Sequence, residues 1–347
     1  MEFIDLKAQY RKYKNEIDKS IARVIESGDF ILGEEVSKFE LELEEKIGTK
    51  CITVANGTDA IFIVLKALGI KEGDEVIVPS FTWVSTAEVV KLAGAKPIFC
   101  DINGTSFNIE PTEIEKHISP NTRAIIAVSI FGQCAELLDI KKIAERNKIF
   151  LIEDAAQSFG AKHYKKYSCS IADFSTTSFF PSKPLGCYGD GGAIFYKNYD
   201  FEESIRTIPR HGQKGRYNYI NIGVNSRLDS LQAAILSTKL KFLDDELKKK
   251  NIVHEIYEHY LSKFKEIQLP VIADYNESSN AIYSIKVSDN RTREKLYEFL
   301  NMENIPVGKY YPVPLHQSAP YLSETNLPIT EDDIREICVN FEKFYCV

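Results

Sequence analysis

Between residues 51 and 154, short apolar runs alternate with helical segments, and this alternation limits the possible fold more than any other feature of the chain. The runs are CITVA (51–55), DEVIVPS (74–80), KPIFCD (96–101), RAIIAVSI (123–130) and IFLIED (149–154). Each has the length of one strand, is rich in β-branched residues, and is apolar at consecutive rather than alternate positions, the pattern of strands buried on both faces. Between them, residues 58–68, 85–94, 111–118 and 137–147 read as helices. Strands that each lead into a helix predict an α/β fold, a mostly parallel sheet wrapped by helices. FSTTSFF (174–180) and GAIFYK (192–197) extend the sheet, and residues 7–27 and 34–47 read as two leading helices. Residues 226–263 read as one long helical region. The remainder, with AIYSIKV (281–287), a helix from 292 and IPVGKYY (305–311), reads as a smaller α+β domain. The expected division is a large domain over 1–245 and a small C-terminal domain over 246–347.

A chain of 347 residues fits about two domains. Its net charge of -7 argues against a general attraction to nucleic acid or to a membrane surface. No apolar run is long enough to span a bilayer, and the acidic start lacks the apolar core of a secretory signal. The seven cysteines form no CxxC pair and read as reduced thiols, so a cytoplasmic location is expected. HEIYEH (254–259) imitates a zinc motif, but its histidines lie five positions apart and do not share a helix face, so no metal is expected there. The absence of GxGxxG argues against a nicotinamide oxidoreductase.

In open α/β sheets, ligands sit at the carboxyl ends of the strands, and four features fall at such ends. In ANGTDA (55–60), Gly57 permits a tight turn and Thr58 offers a hydroxyl near a helix N-terminus, either as an anion cradle or as a plain cap. In PSFTWVST (79–86), Trp83 can stack on a planar ligand or pack in the core. Asp154 ends an apolar strand, where a carboxylate is costly without a cation or strong donors; helix capping is the alternative. Gln157, three residues on, can bond to the same ligand. Glu153 is adjacent, but strand alternation sends it to the opposite face, so the two acids are not an acid/base pair. Ser178 and Lys183 flank the end of a further strand. Lys183 precedes a proline and is biased toward extended backbone. Partly desolvated, its amine attacks carbonyls; fully solvated, it is a surface lysine. The glycines of GCYGDGG (186–192) are expected to make room for cofactor and substrate. An anion cradle, a stacking ring, a buried carboxylate and an amine nucleophile are together the parts that hold pyridoxal phosphate. Lys183 would bond to its carbonyl, Asp154 would keep its ring nitrogen protonated, Trp83 would cover the ring, and Thr58 and Ser178 would hold the phosphate.

The same residues carry a resemblance. ILGEEVSKFE, ANGTDA, GDEVIVPSFTWVSTAE, EDAAQSFGA, SFFPSKPLG with GDGGAIF, RHGQ and GVNSRLDSLQAAIL occur in order over roughly residues 1–320 and together resemble the DegT/DnrJ/EryC1/StrS sugar aminotransferases. The resemblance implies the fold type I (aspartate aminotransferase-like) architecture, pyridoxal 5'-phosphate, and transfer of an amino group, usually from L-glutamate, to a nucleotide-linked keto sugar. By position, Lys183 matches the lysine that condenses with the cofactor and Asp154 the partner of its ring nitrogen. Gln157 matches a residue near the ring hydroxyl, Trp83 the stacking aromatic, and Thr58 and Ser178 phosphate ligands. Asn225 in GVNSR matches an asparagine that reaches the phosphate of the neighbouring subunit, which implies a homodimer with shared active sites. Arg227 is matched to the substrate, with a structural ion pair as the alternative.

Within the family the chain is most similar to enzymes that aminate C3 of UDP-2-acetamido-2-deoxy-3-keto-glucuronic acid for bacterial lipopolysaccharide O-antigen. Where these have a His-Tyr pair before PxPL, this chain has Tyr310 and Tyr311, which cannot carry positive charge at neutral pH. That departure keeps a neutral dTDP-linked 3-keto or 4-keto 6-deoxyhexose open as the substrate. LPITEDDIREIC (327–338) enters the last helix almost directly, so the small domain is expected to be shortened. Sugar 3-dehydratases of the superfamily have histidine at the place of Lys183, and the lysine argues against them. A non-catalytic sensor on the same scaffold need not keep Asp154 and Lys183 together.

Overall fold

Seven strands form the central sheet of the computed structural model, which describes residues 5–341. In chain order they are β1 (Lys50–Val54), β2 (Glu75–Pro79), β3 (Lys96–Cys100), β4 (Thr122–Val128), β5 (Phe150–Asp154), β6 (Phe174–Ser178) and β7 (Gly192–Tyr196). Across the sheet the order is β1-β7-β6-β5-β4-β2-β3. The pairs β2/β3, β2/β4, β4/β5 and β5/β6 are parallel, and β7 runs antiparallel between β1 and β6. Every strand anticipated from the sequence in this domain is present to within a residue or two at its ends.

The continuous apolar runs have a direct cause, because helices cover both faces. On one face Ile52, Val54, Val78, Ile126 and Ile152 pack against Ile61 and Val64 of α3 (Gly57–Ala67) and Val89 and Val90 of α4 (Ser85–Leu92). On the other, Ile77, Ile125 and Leu151 meet Ile114 of α5 (Pro111–His117) and Ile140 and Ala144 of α6 (Leu137–Asn147). Further along that face, Cys51, Ala193 and Phe195 meet Phe39 and Leu43 of α2 (Glu34–Ile47). The first helix, α1 (Leu6–Ser27), lies along a later one, α8 (Ser230–Leu240).

The single helical region anticipated over 226–263 is instead an extended lead-in and two helices. Residues before Ser230 run beside the loop after α1, where Ile31 bridges Asp229 and the Ser230 amide donates to the Phe30 carbonyl at 2.9 Å. A short α7 (Glu202–Thr207) precedes this segment, and α8 (Ser230–Leu240) is separated from α9 (Leu243–Leu261) by a turn at Phe242. The turn is held by the Phe242 ring, stacked on Tyr13 of α1 at 4.1 Å between centroids. Hydrophobic periodicity continues through the turn, which is why the sequence hides it.

The expected division after residue 245 falls inside α9. Leu243 belongs to the large-domain core, whereas Val253, Tyr257 and Leu261 pack against Tyr283 and Ile285 of the smaller sheet. That sheet has Tyr283–Val287 at its centre, flanked antiparallel by Ile267–Gln268 and Ile337–Phe341. It carries α10 (Asn290–Met302) and α11 (Pro328–Glu336). The helix anticipated through LPITEDDIREIC therefore ends at Glu336, and the chain continues as a strand of the small sheet. Among the described residues no helix is long and apolar enough to cross a membrane.

One glycine of the sheet is fixed by close approach. Gly192 pairs with Val54 on one side and Ser178 on the other. A Cβ there would lie 2.5 Å from the Asn56 carbonyl carbon and 2.9 Å from the Gly57 nitrogen. These are backbone atoms and cannot rotate away. Gly192→Ala is expected to lower the free energy of unfolding by about 1–3 kcal/mol, read from denaturant melts of the cofactor-free protein. An unchanged melt would show that the β7–α3 junction is looser than this geometry.

Candidate active site

The carboxyl ends of β1, β2, β4, β5 and β6 open on one cavity of about 350 Å³. At its base lies Asp154, the last residue of β5. Ile152 shares its face of the strand, while Leu151 and Glu153 point the other way. The two adjacent acids consequently have different fates. Glu153 is fully buried and accepts from Ser129 Oγ (2.9 Å), Ser168 Oγ (2.7 Å), the Cys169 amide (2.8 Å) and Ser175 Oγ (3.3 Å). A carboxylate so enclosed ties strands and loop together behind the site. Asp154 accepts from the Ala156 amide at 3.0 Å and lines the cavity. Burial pushes its carboxyl above the usual carboxylate range, and the Ala156 amide and Lys183 draw it back. A further cation placed against this carboxylate would offset more of the burial cost.

Lys183 lines the same cavity from the turn that follows β6. The turn is closed by backbone bonds from the Lys183 amide to the Phe180 carbonyl (2.8 Å) and from the Cys187 amide to the Phe179 carbonyl (2.8 Å). The glycines beyond it do not open space for a ligand, contrary to expectation. A Cβ on Gly186 would lie 2.4 Å from the Pro181 carbonyl oxygen, and one on Gly191 would lie 2.9 Å from Leu228 Cδ1. They let protein approach protein, so that the turn bearing Lys183 sits close against β7 and its surroundings.

The start of α3 supplies donors. Asn56 caps the helix, its Oδ1 accepting from the Asp59 amide at 2.8 Å, and its carbonyl takes the Ala60 amide. The amides of Gly57 and Thr58 have no protein acceptor among the described residues. Thr58 Oγ1 lies 2.7 Å from Ser85 Oγ at the head of α4. A Cβ on Gly57 would fall 2.8 Å from Ser178 Cβ, so glycine is needed here for the helix start to meet the end of β6. Two free amides at a helix N-terminus beside three hydroxyls are suited to a phosphate.

Aromatic residues form one wall. Trp83 is 60% exposed and lines the cavity instead of packing in the core. Its ring centroid is 6.5 Å from that of Tyr311, which also packs edge-on to Phe81 at 5.5 Å. Gln157 fixes Tyr311 from below: its Oε1 accepts from the Phe131 amide at 2.9 Å, which leaves Nε2 to donate to the Tyr311 hydroxyl at 3.1 Å. Tyr310 lines the cavity as well. The segment that follows is fastened to the end of β2, where the Leu315 amide donates to the Ser80 carbonyl at 3.0 Å and His316 Nδ1 meets Ser80 Oγ at 2.6 Å.

Of the residues singled out from sequence, Gly57, Thr58, Trp83, Asp154, Gln157, Ser178, Lys183, Tyr310 and Tyr311 line this cavity. Asn225 and Arg227 do not. Asn225 is exposed and pairs with Arg210 in an isolated bridge, and Arg227 is half-buried. Sequence reasoning passed over Ser85, Thr82, Phe180 and Asp190, which also line the cavity. Ser85 follows the quoted tryptophan by two residues and heads a helix, a signal of the kind that pointed to Thr58.

Amides and hydroxyls for a phosphate, a carboxylate in need of a cation, a lysine and an aromatic wall in one cavity fit pyridoxal phosphate. The comparisons with known proteins agree. The model of the DegT/DnrJ/EryC1/StrS aminotransferase family matches residues 11–339. The chain is 47% identical over 331 residues to the UDP-2-acetamido-2-deoxy-3-oxo-D-glucuronate aminotransferase of Pseudomonas aeruginosa, covering 95% of this chain and 91% of that one. The crystal structure of a DegT DnrJ EryC1 StrS aminotransferase from Brucella abortus superposes with a TM-score of 0.94 at 38% identity, covering 100% of this chain and 95% of that one. NtdA from Bacillus subtilis, solved with bound cofactor PMP, superposes with a TM-score of 0.90 at 28% identity, covering 99% of this chain and 81% of that one. PMP is the amine form of pyridoxal phosphate, and pyridoxal phosphate is the cofactor of this protein. The fold is accordingly that of these enzymes, and the chain belongs to the DegT/DnrJ/EryC1/StrS aminotransferase family.

Proposed function

We propose that the protein transfers the amino group of L-glutamate to C3 of UDP-2-acetamido-2-deoxy-3-keto-glucuronic acid. The product serves a lipopolysaccharide O-antigen, and the enzyme acts as a cytoplasmic homodimer with shared active sites. The observation that carries this reading is the convergence of Lys183, Asp154 and Gln157 with the Gly57–Thr58 amides and Ser178 in one cavity. The similarity to the Pseudomonas enzyme supports the substrate. When bound, pyridoxal phosphate supplies an electron sink that depends on a protonated ring nitrogen. Asp154 holds that proton in place, and the cation relieves the cost of burying the carboxylate. Gly57, Thr58 and Ser178 hold the phosphate, Trp83 covers the ring and Gln157 bonds to its hydroxyl. Lys183 Nζ takes the α-proton of glutamate and later delivers a proton to C3 of the sugar, a general base and then a general acid. Tyr310 and Tyr311 face the sugar, whereas Arg227, outside the cavity of its own chain, would meet it only from a second copy.

Two features support the dimer. Asn225 lies outside the cavity of its own chain, free to reach that of a second copy. Near it in sequence, Tyr217, Tyr219 and Ile222 are exposed at 73%, 61% and 91%, apolar surface that a partner would cover.

A second reading keeps the chemistry and changes the sugar to a dTDP-linked 3-keto or 4-keto 6-deoxyhexose. It is favoured by one observation: among the described residues, Lys183 is the only basic side chain lining the cavity. A sugar carboxylate would have to find its counter-charge on the second subunit.

The purified protein supplied with pyridoxal phosphate is expected to show a yellow absorbance band that bleaches on adding glutamate. The bleached protein is then offered each keto sugar. Return of the yellow band with the UDP-linked uronate alone supports the first reading, and return with the dTDP-linked sugar alone supports the second. A protein that stays colourless would overturn both.

A further inference from the structure

Lys239 on α8 stands out among the lysines. It is 4% exposed. Its ammonium donates to the Gly186 carbonyl and lies 5.3 Å from the centroid of the Tyr188 ring. Among the described residues no carboxylate is within ion-pairing distance of it. The titratable groups that face it are Cys187 and Tyr188 on the turn, Tyr10 of α1 against Tyr188, and Glu246 and Lys250 on α9. Burial lowers its pKa to about 8, with Lys250 acting in the same sense and Glu246 and Cys187 opposing. A methionine of similar length would fill this space without desolvating a charge. Packing alone gives no reason for an ammonium here; what the ammonium adds is the bond to Gly186.

That bond reaches the turn bearing Lys183. Gly186 lies three residues past Lys183, and its α-carbon is so close to Pro181 and Phe180 that a Cβ would fall 2.4 Å and 2.8 Å from their carbonyl oxygens. The next residue returns to Phe179 through both its amide (2.8 Å) and its Sγ (3.0 Å). The Tyr188 amide donates to Gln232 Oε1 of α8 at 2.9 Å. The turn is therefore a stiff loop, and α8 holds it at Gly186 and at Tyr188. We propose that Lys239 is a positioning residue for Lys183: by holding the Gly186 carbonyl against α8, its ammonium fixes the turn from which Lys183 reaches the cavity. The inference rests on Lys183 as the lysine that bonds to the cofactor.

The test uses the full-length protein loaded with pyridoxal phosphate, as wild type, Lys239→Met and Lys239→Gln, mixed with glutamate. It reads the rate constant for bleaching, the glutamate concentration at half-maximal rate, and the melting temperature. Lys239→Met is expected to lose about tenfold or more in rate constant through misplacement of the reacting amine, with glutamate half-saturation and melting temperature close to wild type. Lys239→Gln keeps a neutral donor and is expected to recover most of that loss. A Lys239→Met protein that bleaches at the wild-type rate overturns the proposal. So does a loss that follows a lowered melting temperature and is not recovered by glutamine. If the methionine variant does not fold, Lys239→Leu, which also lacks a donor, is read in its place, and a wild-type bleaching rate there overturns the proposal. A wild-type protein that forms no band overturns the reading of Lys183 itself.

Discussion

Lys183→Ala is expected to fold and to lose amino transfer by at least about 10³-fold, since it removes both the amine nucleophile and the proton carrier. The turn around Lys183 is closed by backbone amides and by glycines packed on backbone, so the side chain is not needed to hold it. Steady-state formation of the amino sugar from glutamate and the keto sugar measures the loss. A circular dichroism melt establishes that the variant is folded, and the yellow band should be missing after pyridoxal phosphate is added. Transamination retained in a folded Lys183→Ala protein would remove the lysine from the chemistry.

Asp154→Asn should separate catalysis from stability. The substitution keeps the size of the side chain and removes its charge. Amino transfer is expected to fall by at least about 10²-fold, as when an electrostatic partner of the reacting system is deleted, and cofactor affinity should weaken with it. The cofactor-free protein should behave differently. Burial raises the folded-state pKa of Asp154 above that of the unfolded chain. From the ordinary carboxylate pKa upward, the folded state therefore binds more protons at this group than the unfolded state. The contribution of Asp154 to stability then declines as pH rises through that window. Cofactor-free Asp154→Asn should consequently melt no lower than wild type at neutral pH, while the loaded wild type melts above the loaded variant. A variant with wild-type turnover, or one destabilised equally with and without cofactor, would mean that Asp154 is a structural residue.

The strands of the large domain were legible because each is a short run buried on both faces, a property carried by neighbouring residues. The opposite fates of Glu153 and Asp154 were legible for the same reason, since side chains alternate along any strand. The break at Phe242 was not, because it is held by Tyr13, more than two hundred residues earlier, while the apolar spacing continues across it. The glycines after Lys183 were recognised as necessary but given the wrong neighbours. Their clearance is filled by Pro181, Leu228 and Asn56, and two of these three are distant in sequence.

By itself the sequence determined the parts: strands with helices between them, and at the strand ends a lysine, a carboxylate, an indole, and a glycine and threonine at a helix start. Spacing over two to four residues is enough for that, because local geometry sets which way a side chain leaves the backbone. Tertiary structure decided which parts meet. Strand order sets β5 beside β6, with Asp154 in register with Thr176, and β6 beside β7, with Ser178 in register with Gly192. It also carries Gln157 to Tyr311, 154 residues away. These meetings depend on how strands pair and how the small domain folds back, which are free-energy differences summed over the whole core and not written in any one segment.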